Sequence, residues 1–181
     1  MSEAPALVVV DAQRGFADLD FWGRRNNPDA EDNIEALVRH WQAQGWPIVV
    51  VVHASDNPGS PLHPSKEGHQ LLPFLDGVGD VLVTKSVNSS FHGEPNLDEW
   101  LSLRGLTQVV ICGITTNHCC ETTARVGGNL GYDVSFALDA THTFDRATPE
   151  GDNVSADELA RVTATNLHGE FATVVKTASF V

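Results

Sequence analysis

The chain is short of basic residues, of cysteine and of long apolar runs, and each shortage excludes something. Against 24 aspartates and glutamates stand only 11 lysines and arginines, a net charge of −13 over 181 residues. Nucleic acid is bound through a basic surface that neutralises phosphates, so no nucleic-acid partner is expected. An anionic membrane surface makes the same demand, and no membrane association is expected. The longest apolar runs, such as Ile48 to Val52, fall far short of the roughly 20 residues that cross a bilayer. The opening MSEAPALVVVDAQ has no basic start and no signal-peptide pattern, which predicts a cytoplasmic protein. Three cysteines, an odd number, make no disulfide framework and are expected as thiols. No G-x-G-x-x-G follows a strand, so no dinucleotide is expected. Internal repeats, low-complexity stretches and domain boundaries are also missing. Residues 1–181 read as one domain with a sizeable core.

What the chain does have is a series of apolar, β-branched runs: 6–10, 47–52, 80–84, 108–112, 133–138 and 172–176. Near-continuous Val and Ile predict strands buried on both faces, as in a parallel sheet. Helical patterns lie between most of them. Over 28–44, Ile34, Leu37, Val38 and Trp41 share one face, with Asn27 as a possible cap, Pro28 in the first turn and Gly45 at the end. Asn96 and Ser155 each stand three residues before a glutamate, as N-caps do. Alternating strands and helices predict a doubly wound α/β fold, with a mostly parallel sheet of about six strands. The stretch 54–79 is rich in Pro, Gly, Ser and His and reads as a lid, a pocket wall or a plain surface excursion. Gly127-Gly128 in a helical stretch predicts close packing or a helix break.

In open α/β sheets, ligands bind beyond the carboxyl ends of the strands. The first run ends in Asp11, the third in Lys85, and the fourth leads into GITTNHCC. Singly, each has an ordinary structural explanation. Together an acid, an ammonium and a thiol can form a nucleophilic site. A thiolate attacks where a thiol does not; a carboxylate can take its proton and an ammonium can steady the anion. A helix start favours the same negative charge.

Four stretches carry a resemblance: VVVDAQRGF (8–16), VTKSVNSSF (83–91), VVICGITTNHCCETTAR (109–125) and LDATHTF (138–144). On these the chain resembles the isochorismatase-like cysteine hydrolases, a superfamily that includes nicotinamidases and other small amidases. The resemblance implies a Rossmann-like α/β/α sandwich and a catalytic triad at Asp11, Lys85 and Cys119. It places Cys120 where the family has an aliphatic residue. Neighbours on a helix point roughly 100° apart, so Cys120 is read as core, and so is Cys112. A cis peptide at Ile114–Thr115 is implied as well, with the backbone N–H groups of Thr115 and Cys119 forming an oxyanion hole. A homodimer or homotetramer is implied by the same likeness.

Family nicotinamidases hold a metal through an Asp-x-His pair after the second strand. Here Val51 stands two residues before His53. No metal and no other cofactor is therefore expected, with a site from His53, Asp56, His63 and His69 as the alternative. Pocket-wall candidates are Phe16, Trp22, His53, Phe91, His118, His142 and Phe144. The leading expectation is cleavage of a C–N bond in a small-molecule amide or lactam, through a thioester on Cys119. The alternatives are a vinyl-ether hydrolase of the isochorismatase type and a non-catalytic binding module on this fold.

Overall fold

A computed structural model describes residues 4–181. Six strands form one parallel sheet: β1 (Ala6–Val10), β2 (Ile48–His53), β3 (Val81–Lys85), β4 (Gln108–Ile114), β5 (Asp133–His142) and a last strand at Thr173–Val175. A short antiparallel hairpin, β6 (Arg146–Ala147) and β7 (Asn153–Val154), lies outside it, which makes Thr173–Val175 β8. The sheet order is β3-β2-β1-β4-β5-β8. The chain works outwards from β1 to β3, then returns to pair β4 against the other side of β1. That reversal creates a crevice between the ends of β1 and β4, where such sheets bind ligands.

Five helices cover the sheet: α1 (Leu19–Trp22), α2 (Ala30–Gln44), α3 (Leu97–Ser102), α4 (Glu121–Leu130) and α5 (Ala156–Leu167). Alternate residues of each strand face opposite layers. Leu7, Val9, Ile48 and Val50 pack with Ile34, Leu37, Val38 and Trp41 of α2. Val8, Val10, Val49 and Val51 face α3, α4 and α5, among Leu97, Trp100, Ala124 and Leu167. This double burial explains the unbroken valine runs and gives the expected three-layer α/β/α sandwich.

The helix ends follow their caps. Asn96 Oδ1 accepts from Glu99 N at 2.9 Å, Ser155 Oγ from Glu158 N at 3.2 Å, and Gly45 closes α2 in the left-handed conformation. Asn27 does not cap α2, which starts two residues after Pro28. Its side-chain amide instead donates to Asp139 O and Thr141 O at 2.8 and 2.6 Å, tying the entry of α2 to β5.

The two adjacent glycines of α4 leave the helix unbroken, and close packing accounts for them. A Cβ on Gly127 would meet the Phe91 ring at 3.2 Å, and one on Gly128 would sit 2.5 Å from Phe171 O. Alanine is worth roughly 1 kcal/mol over glycine in a helix interior. At Gly128 the clash is with backbone and reverses that sign. Gly128→Ala is expected to destabilise the fold by about 1–3 kcal/mol, read as a lower urea midpoint; a higher midpoint would show that the α4–Phe171 contact yields freely.

Candidate active site

Asp11 follows β1 with a positive φ of 48°, an uncommon conformation outside glycine. Its N–H bonds Val51 O at 3.0 Å, anchoring the turn to β2. Lys85 is the last residue of β3 and pairs in register with His53, the last of β2. Cys119 belongs to a π-helical turn, Thr116–Cys120, that connects β4 to α4. The chain can enter this turn because Gly113, at φ +125°, lets β4 crowd the backbone of Val10. The Ile114–Thr115 peptide is cis.

The three side chains meet at one ammonium. Lys85 Nζ lies 2.6 Å from Asp11 Oδ2, 3.3 Å from Cys119 Sγ and 3.3 Å from His53 Nδ1. The side chains of Asp11 and Lys85 are wholly buried. An ammonium has three donors and no lone pair, so all three are used and His53 Nδ1 is an acceptor. The ring proton of His53 is therefore on Nε2. Burial, followed by the Lys85 charge, pushes the His53 pKa down and keeps the ring neutral. Burial opposes the Lys85 charge, but Asp11 and Cys119 together outweigh it and hold the lysine protonated.

Cys119 behaves against expectation. Burial, and then the Asp11 carboxylate, push its thiol well above the ordinary value, and the Lys85 ammonium offsets this only in part. The resting group is a thiol. The spacing of residues shows that a cation is near; it does not show that Cys119 is only 8 % exposed. Asp11 Oδ1 is buried without a hydrogen-bond partner, and an Asp11 oxygen, a His53 nitrogen and Cys119 Sγ all lie within 4.8 Å of one another. Cys120 is fully buried in the core with Ala124 and Phe136, and Cys112 is buried within β4.

Asp11, His53 and Cys119 are also the donors a metal would use. They do not fit a resident ion, because Lys85 Nζ sits at their focus and already bonds each one. The alternative histidine set is not assembled. His63 Nδ1 pairs with Ser65 Oγ at 2.8 Å, and His69 Nδ1 faces the carbonyls of His53 and Leu62 at 3.2 Å each.

Beside Asp11 and Cys119 is a cavity of about 210 Å³. Of the expected wall residues it is lined by Phe16, Trp22, His53, His118 and Phe144. Trp22 and Phe144 stack at 5.5 Å, and Phe16 and Phe144 at 6.3 Å. Two expectations are corrected. Phe91 packs in the core against Gly127 and Tyr132. His142 is wholly buried behind the aromatic wall, edge-on to Phe144 at 5.3 Å, with Nε2 3.4 Å from Glu31 and no well-formed hydrogen bond. In each case the residue sits near the right strand end but faces the protein interior. Residues that sequence reasoning missed also line the cavity: Leu62, Asn88, Thr143, Asp145 and Arg146. Leu62 makes part of the 54–79 stretch a pocket wall. Gln13 fixes that stretch from below, its amide donating to His53 O and His69 O while accepting from His53 N.

The model of the isochorismatase domain matches residues 5–177. The chain belongs to the isochorismatase family. YrdC of Bacillus subtilis, an isochorismatase family protein, is 40% identical over the whole chain and 96% of its own length. A hydrolase of the isochorismatase family from Chromobacterium violaceum superposes with a TM-score of 0.91 at 34% identity, covering 98% of this chain and 92% of that one. N-carbamoylsarcosine amidase from Thermoplasma acidophilum covers 97% of each chain at 25% identity and a TM-score of 0.72. The protein is thus an isochorismatase-family hydrolase.

The charges around the thiol fix the sign of two substitutions. Asp11→Asn removes a charge that opposes ionisation, so the pH midpoint of iodoacetamide alkylation at Cys119 should fall. Lys85→Met removes the charge that favours the thiolate, so its midpoint should rise. Equal midpoints in both variants and the native protein would show that neither group controls the thiol.

Proposed function

We propose that the protein hydrolyses a C–N bond in a small amide or lactam, with Cys119 as nucleophile and Asp11 as the proton carrier. One observation carries this reading: the Cys119 thiol keeps its proton within 4.8 Å of an Asp11 oxygen, in a buried carboxylate whose Oδ1 has no hydrogen-bond partner. A thiol in that state needs a base at the moment of attack. Asp11 is held ready for it, with Oδ2 bound to Lys85 and Oδ1 left over.

Asp11 takes the proton as Cys119 Sγ bonds to the carbonyl carbon. The carbonyl oxygen becomes an oxyanion, held by the N–H groups of Thr115 and Cys119. When the C–N bond breaks, Asp11 returns the proton to the departing nitrogen. The product amine leaves and a thioester remains on Cys119. Water then enters, gives a proton to Asp11 and attacks the thioester carbon. The acid is released, and the sulfur recovers its proton from Asp11. Throughout, Lys85 holds Asp11 in place and tempers the negative charge on sulfur and oxygen. The N-carbamoylsarcosine amidase relative, an amidase by name, supports the C–N bond as target. Cys119 itself disfavours vinyl-ether cleavage, which needs no nucleophilic sulfur.

Cys119→Ala should abolish release of ammonia or amine from a panel of small amides, lactams and ureido compounds. Asp11→Asn keeps the shape but loses the base, so kcat should fall by roughly 10² or more. Mass spectrometry of a trapped acyl-enzyme should place the adduct on Cys119; an adduct on Cys120 would end the proposal. Because the Lys85 ammonium takes the place of an ion, turnover should survive exhaustive chelation. Activity lost to a chelator and restored by zinc would show that a metal is needed.

A further inference from the structure

We propose that His142, Glu31 and Arg25 form an acid-sensitive latch behind the cavity: a neutral His142 leaves the wall built by Thr143, Phe144 and Asp145 in place, and a protonated one unfastens it. The inference concerns the wall alone and holds whichever bond the enzyme cleaves. His142 is the last residue of β5 and pairs in register with Ile114, the last of β4. Its ring is wholly buried, edge-on to Phe16 at 6.4 Å and to Phe144 at 5.3 Å. Neither ring nitrogen has a hydrogen-bond partner. An apolar side chain of similar size would fill this place without leaving a buried polar group unpaired. What an imidazole alone brings is a charge that changes near neutral pH.

Two charged groups face the ring, Glu31 of α2 and Arg25 just before that helix. Asp139 of the same strand is turned away, its Oδ1 accepting from Thr177 N and Oγ1. Glu31 Oε1 lies 3.4 Å from His142 Nε2 and accepts from Arg25 Nη1 at 2.6 Å, while Oε2 accepts from Nη2 at 2.8 Å. Arg25 in turn holds the backbone that carries the wall. Its guanidinium donates to Asn26 O and Asn27 O at 3.2 and 2.8 Å. Asn26 N donates to Thr143 O at 3.1 Å, Thr143 N to Asn26 Oδ1 at 2.8 Å, and Asp145 N to Arg24 O at 2.9 Å. Thr143, Phe144 and Asp145 all line the cavity. One carboxylate is thus shared between a fixed cation and a ring that can become one. While the ring is neutral, Glu31 belongs to Arg25. Once charged, His142 competes for Glu31 and repels Arg25, and the grip on the wall weakens. Burial, helped by the Arg25 charge, holds the His142 pKa below the ordinary value of 6.5, against the pull of Glu31. The neutral ring is therefore the one the fold favours, and the stability it supports is lost as the pH falls below 6.5 towards the lowered value.

The latch can be read without substrate, by NMR titration of the histidine ring and tryptophan indole signals from about pH 8 to about pH 5. Trp22 stacks on Phe144 and reports the wall; Trp41, Trp46 and Trp100 pack in the two core layers and serve as controls. Trp22→Phe and His142→Gln assign the two signals. The His142 ring should titrate below the ordinary histidine value. The Trp22 indole should titrate with the same midpoint, while the other three indoles stay still. Glu31→Gln removes the partner of the charged ring and should move both midpoints down. Arg25→Gln removes an opposing charge and should move both up. These opposite shifts separate His142 from His53 and His118, whose charges are not set by Glu31 or Arg25. In His142→Gln the Trp22 step should be lost. A His142 ring that does not titrate in this range overturns the proposal. So does a Trp22 indole that stays still or follows a different midpoint, or a Trp22 step that survives His142→Gln. The native titration alone decides the matter should a variant fail to fold.

Discussion

The site depends on a buried ion pair. Taking Asp11 and Lys85 out of water costs several kcal/mol for each ion, and their mutual attraction repays it only while both are present. Removing one partner of such a pair typically costs about 3–5 kcal/mol. Much else follows from that constraint. The ammonium must spend its remaining donors nearby, so it takes the Cys119 sulfur and the His53 ring. The His53 ring must then be neutral with its proton on Nε2. The pair also fills the place where the donors would converge on a metal. What an isolated list of Asp, His and Cys could suggest is overruled by the lysine in their midst.

The sheet order makes this pair possible. Asp11 and Lys85 end strands that are not neighbours, with β2 between them. Lys85 therefore reaches across the end of β2, past His53, to Asp11. Cys119 arrives from the other side of β1, where the chain reverses direction. Its approach needs β4 to lie tight against Val10, which a side chain at residue 113 would prevent. The two core layers hold the strands in register, and the register sets the side chains at their ends.

Much of this was legible in the sequence, for identifiable reasons. Strands buried on both faces leave unbroken valine runs, and all six start within one residue of expectation. Caps such as Asn96 and Ser155 are local chemistry and show themselves. Strand ends marked Asp11 and Lys85, and the motif marked Cys119. What was hidden depends on three-dimensional facing. Phe91 and His142 stand at informative positions yet face the core. Asn88 and Asp145 come from irregular segments, and Arg146 from a two-residue strand too short to show a period. Asn27 looks like a cap because its residue type suits one, but a nearby pair of carbonyls on β5 binds it instead. The protonated thiol was hidden too, because burial outweighs the neighbouring lysine and burial is not written in the spacing.

That protonated thiol changes how the proposed chemistry is organised. A permanently ionised cysteine would react with any electrophile that reached it. Here burial and Asp11 keep the proton on sulfur, so reactivity arises only when a carbonyl is close enough to accept the electron pair as the proton leaves. A narrow cavity with aromatic walls limits which carbonyls come that close. The ions nearest the sulfur neutralise one another, so they neither attract nor reject a charged substrate strongly. The hairpin wall of the same cavity is held by a separate set of bonds, in which Asp145 accepts from Arg24 and from Ala156 N. The buried pair and this wall are thereby anchored to different parts of the fold, and exchange of a hairpin residue can alter the wall without disturbing the pair.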